Sequence, residues 1–144
     1  MGRQDYYVNG ETKREYVVLA WKAACNLLTE SGAAALWIVG LDMGKLRYSS
    51  DIKFAVGDEN ARRFAKGEQL NIKGKIVRYC TERTLPRMGE NAIVLLIHPT
   101  AALMKKADQM PFCAALIVVP YFFKDVQAWI NACKPTDILQ SMSS

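Results

Sequence analysis

The chain has 144 residues, 51% of them hydrophobic and 23% charged, with a formal net charge of +5. That length fits one domain with a sizeable core, and the composition excludes a disordered or fibrous chain. The basic excess is mild and spread along the chain, as at Lys13, Arg14, Arg62, Arg63, Lys73, Lys75, Lys105 and Lys106, which argues against a nucleic-acid partner because such domains concentrate their charge on one face.

Residues 1–10 are polar and lack the apolar segment of a signal peptide, and read as a lead-in tail that Tyr6 and Tyr7 dock onto the body. No apolar run approaches the roughly 20 residues of a membrane span, so no membrane partner is expected. Thr12 and Glu15 have the spacing of a capping box, in which hydroxyl and carboxylate satisfy each other's backbone amides. A long helix follows. Tyr16, Ala20, Ala23 and Leu27 form one row, and Val17, Trp21, Ala24 and Leu28 a second. So wide an apolar face fits deep packing on a sheet or a surface shared with a partner subunit. Gly32 suits the left-handed position that ends a helix.

Residues 34–40 are an apolar run too short for a helix, and predict a buried strand. Residues 41–56 read as a polar turn leading to a short strand or irregular segment through Ile52, Phe54 and Val56. A phosphate loop is excluded there: Gly40 and Gly44 are one residue too close, and Leu46 replaces the hydroxyl residue. Asp58 is the expected N-cap of a helix over 59–66, closed by Gly67. Residues 75–80 predict a strand near a sheet edge, preceded by an edge segment from Leu70 and followed by a polar loop over 81–90.

The clearest stretch is 91–134. Residues 92–97 and 114–119 are continuous apolar runs, each ended by proline, at Pro99 and Pro120. Each is followed by a helical pattern, over 100–109 and 124–132. Parallel strands covered on both faces look like this. Residues 136–144 read as a C-terminal tail, leaving 11–135 as one domain. The expected fold is a three-layer α/β domain with a mainly parallel open sheet of about four or five strands, Rossmann-like or flavodoxin-like, its strand order open.

Ligands in such sheets bind outside the carboxyl ends of the strands. That rule selects Asp42, Arg83, His98, Thr100 and Tyr121 as ligand-binding candidates. Arg83 suits an anion. Thr100 at a helix start offers backbone amides to a phosphate or carboxylate. His98 is the one histidine, and Tyr121, Phe122 and Phe123 form an aromatic run. A Cys80–His98 pair has the chemistry of a nucleophile and base, but no third orienting residue is identifiable, and no catalytic set is assigned. Neither G-x-G-x-x-G nor G-x-S-x-G occurs. Cys25, Cys80, Cys113 and Cys133 lack metal-site spacing, so no metal site is expected. They read as reduced thiols, which points to the cytoplasm.

Two functions fit. One is a non-catalytic interaction or assembly module, joining another protein or itself through the 16–28 helix or the aromatic run. The other is a small enzyme or sensor binding an anionic ligand, a nucleotide or phosphorylated metabolite, at the strand ends.

Overall fold

The structure, a computed structural model, describes residues 4–10, 14–40, 50–81, 91–110, 113–121 and 123–139. In chain order these form β1 (Gln4–Tyr7), α1 (Arg14–Glu30), β2 (Ala35–Val39), α2 (Ser50–Val56), α3 (Asp58–Ala65), β3 (Leu70–Ile72), β4 (Lys75–Cys80), β5 (Ala92–Ile97), α4 (Ala101–Asp108), β6 (Cys113–Val119), α5 (Phe123–Cys133) and β7 (Thr136–Asp137). The strands make one seven-stranded sheet in the order β3-β4-β2-β5-β6-β1-β7. Every pairing is parallel except the β3–β4 hairpin.

The apolar runs are continuous because both faces of the sheet are covered. Leu36, Ile38, Ile93, Leu95 and Ile117 pack with Val17, Ala20, Ala24 and Leu28 of α1, Ile52 of α2 and Phe64 of α3. Their neighbours Trp37, Val39, Val94, Leu96 and Val118 pack with Leu103, Met104 and Ala107 of α4 and with Val126 and Trp129 of α5. The α/β class and three layers expected above are therefore present, with more strands than foreseen.

The extra strands come from the ends of the chain. Gln4–Tyr7, expected as part of a tail, is an interior strand held between β6 and β7. Thr136–Asp137 is likewise in the sheet, and Asp137 Oδ1 accepts from the backbone N–H of Asn9 at 3.3 Å. Residues 50–56, expected as part of a short strand or irregular segment, are helical. Ile52 is 2% exposed and Phe54 56%, a split that a helix makes naturally and a buried alternating strand does not. Asp58 is not a cap. Gly57, at φ 93, takes that position without a side-chain bond, and Asp58 is the first helical residue. There its charge favours the helix N-terminus. The Thr12 capping box lies outside the described residues. At its other end α1 closes as expected, with Gly32 at φ 75.

Two further devices hold the edge. Lys73 and Gly74 both have positive φ, the requirement of the tight hairpin turn that matches strand twist, and the Gly74 N–H donates to Asn71 Oδ1 at 2.9 Å. Lys75 Nζ donates to the Leu28 carbonyl, setting a positive charge at the C-terminus of α1, where the helix dipole favours it.

The topology marks one position on the sheet. From β1 and β2 the chain travels toward the β3 edge, over the face that carries α1, α2 and α3. From β5 and β6 it travels toward the β7 edge, over the opposite face. Opposite directions need opposite faces because parallel crossovers share one hand. The switch falls between the adjacent strands β2 and β5, where crevices in open α/β sheets form.

Candidate functional site at the carboxyl edge

Gly40 and His98 flank the switch point. The N–H of Gly40 donates to the Cys80 carbonyl at 3.2 Å, and that of His98 donates to the Val119 carbonyl at 2.8 Å. Both extend the parallel ladders one residue past the strands. His98 then takes φ 54, a left-handed conformation that is uncommon without glycine but several-fold enriched for histidine. The turn sends the chain out of the sheet into buried Pro99 and on to α4.

His98 and Tyr121 meet across the ends of β5 and β6. Their ring centroids are 5.2 Å apart at 69°, an edge-on contact, the geometry that aromatic quadrupoles favour. Pro120 is buried beneath, while Tyr121 stays 52% exposed. Of the five candidates, these two are brought together. Thr100 is next along the chain, but its hydroxyl accepts from the Leu103 N–H at 3.1 Å as the N-cap of α4. It is a capping residue. Asp42 and Arg83 lie outside the described residues.

The nucleophile–base reading fails on geometry. Cys80 ends β4, and β2 lies between it and β5, so the two strand ends are roughly 9–10 Å apart. Cys80 is 2% exposed and packs with Val39, Val94 and Leu96. Burial pushes its thiol up to about 11, with a small opposing pull from Arg78. Such a thiol is inert at neutral pH.

The chain matches no protein-family model, no curated protein and no solved structure. Among the described residues no cluster of His, Cys, Asp or Glu could hold a metal ion, and no helix is long and apolar enough to cross a membrane.

A concavity also lies between the two helices that follow β2. Lys53, Asp58, Ala61, Arg62, Ala65 and Lys66 line a cavity of about 340 Å³ between α2 and α3. A more open one, of about 470 Å³, adjoins it and shares Lys53 and Asp58, with Arg14 and Phe54 at its side. Sequence reasoning took Arg14 and Arg62 as part of a scattered basic excess and Asp58 as a cap. The one signal for the cleft is the four-residue spacing of Arg62 and Lys66, which puts both on one face of α3.

Proposed function

We propose that the protein is a non-catalytic interaction module that meets a protein partner at the carboxyl edge of its sheet, with Tyr121 as the anchor. The observation that carries this reading is the His98–Tyr121 pair. A large aromatic side chain half exposed to water is fixed in one orientation by a ring behind it. Tyrosine is a favoured anchor at interfaces because it presents area and a polar tip at little cost in side-chain freedom. On α1, the other surface considered for association, Val17, Ala20, Ala24 and Leu28 are spent on the chain's own core, while Tyr16, Trp21, Ala23 and Leu27 stay half-buried against it. A photo-crosslinking residue placed at position 121 tests the reading in cells, alongside sedimentation of the purified chain from micromolar concentrations upward. The reading expects one dominant adduct, with a second copy or another protein, that a crosslinker on the exposed face of α5 does not give. Scattered adducts at both positions would sink it.

The switch point favours a second reading, a sensor holding a nucleotide or phosphorylated metabolite in the crevice between the ends of β2 and β5. A thermal-shift screen with those compounds addresses it. A ligand at 100 times its Kd adds about 2.7 kcal/mol of stability, and that gain should vanish in His98→Ala.

A further inference from the structure

We propose that the cleft between α2 and α3 is a separate site for a phosphorylated aromatic compound, of the nucleotide class. One short stretch of chain, from Lys53 to Lys66, supplies its described lining. Gly57 alone joins the two helices, and its φ of 93 folds α2 back so that Lys53 faces the same cavity as Arg62 and Lys66. Among the described residues, three cations there meet one carboxylate, Asp58, a local charge of +2. No ion pair ties Lys53, Arg62 or Lys66 to a carboxylate among the described residues. Arg63 makes the contrast. It pairs with Glu68 at 3.5 Å and donates to the Gln69 carbonyl at 3.2 Å. Arg62 and Lys66 also offset the negative end of the α3 dipole, but Lys53 belongs to another helix and has no share in that role. Clustered like charges repel, and a bound polyanion removes the repulsion.

The aromatic part of the ligand is read from Phe54. It is 56% exposed and stands in the adjoining cavity with Lys53 and Asp58. The Arg14 guanidinium carbon lies 5.2 Å from its ring centroid. One face of the ring is thus backed by a cation, and a planar base can stack on an exposed part of it. A cavity of about 340 Å³ has the size of small-ligand sites, roughly 300–1,000 Å³. Charge confined to one cleft rather than a long stripe favours a small molecule over a membrane or a nucleic-acid strand.

Titration calorimetry with adenosine triphosphate and with inorganic tripolyphosphate tests the assignment. The wild type should bind both, the nucleotide roughly tenfold more tightly because of stacking. Lys53→Glu with Arg62→Glu should abolish both. Phe54→Ala should reduce the nucleotide to the tripolyphosphate level and leave tripolyphosphate unchanged. All these side chains are exposed, and circular dichroism checks that the variants fold. The proposal is overturned if neither probe binds, if binding survives the charge reversal, or if only anionic vesicles or oligonucleotides bind. It is also overturned if His98→Ala removes the nucleotide while the charge reversal does not, since the ligand then sits at the switch point.

Discussion

The Tyr79 hydroxyl lies over Gly40, so close that a Cβ on Gly40 would stand 2.8 Å from it. The contact fixes how β2 leaves the sheet beside the switch point. Tyr79 has little room to yield. It is 8% exposed, and its ring centroid is 6.2 Å from that of Phe64 in the core. Gly40→Ala should therefore cost about 1–3 kcal/mol through overpacking, measured by denaturant unfolding. Combined with Tyr79→Phe, which removes the clashing oxygen, it should cost clearly less than the two single changes added together. Strict additivity would show that the steric account is wrong.

His98 supports Tyr121 from a left-handed backbone at φ 54. Two substitutions separate backbone from ring. Both His98→Asn and His98→Val lose the contact with Tyr121. Asparagine tolerates this conformation, and a β-branched residue does not. Valine should be the worse of the two by about 1–2 kcal/mol, within the range of such backbone strain. Equal losses would mean that the turn relaxes once the ring is gone.

The N-terminal strand sets a sharper test. Val8 is 0% exposed, and its N–H donates to the Val118 carbonyl at 3.0 Å. Val8→Ala should destabilise the protein by about 2–3 kcal/mol, from lost burial and the cavity left behind. A residue in a loose tail would change stability by less than about 0.5 kcal/mol.

That strand also shows where sequence reasoning reached its limit. The runs at β5 and β6 were legible because apolar residues fill both faces and Pro99 and Pro120 stop them. Thr100 was legible as the start of a helix because that signal is local. Gln4–Tyr7 carries no apolar run. It is a strand because β6 and β7 supply partners more than a hundred residues away, and no local pattern records that. In α2, Ile52, Phe54 and Val56 alternate as in a strand, yet in a helix of about two turns Phe54 simply points outward. The basic cleft was hidden for a different reason: with 50–56 not read as a helix, the turn at Gly57 that sets Lys53 beside Arg62 was not foreseen, and Arg14 joins only through the packing of α1.

Trp129 offers a test of the lower core. It is 6% exposed, and its Nε1–H is buried with no hydrogen-bond partner among the described residues. An unsatisfied buried donor already costs roughly 1–3 kcal/mol. Trp129→Phe removes that donor while keeping an aromatic ring, so its loss of area is offset and the net change should stay within about 1 kcal/mol. Trp129→Ala keeps no such compensation and should cost about 3–5 kcal/mol. Thermal unfolding of the two variants distinguishes these outcomes, and comparable losses would point to an N–H that is satisfied after all.

Buried thiols should make the protein alkali-sensitive. Burial raises Cys25 and Cys80 from the ordinary 9.0 to about 11. Below pH 9 both thiols are protonated whether the chain is folded or not, and they add no pH dependence. Between pH 9 and about 11 the unfolded chain gives up protons that the folded chain keeps, so the unfolding free energy falls as pH rises. Replacing both residues by alanine should flatten that part of the stability profile, even if it lowers the profile as a whole. At pH 8 Cys25 and Cys80 should react with a disulfide reagent about a hundredfold more slowly than free cysteine, because the thiolate fraction sets the rate. Rapid labelling of Cys80 in native protein would contradict its placement against Val39, Val94 and Leu96.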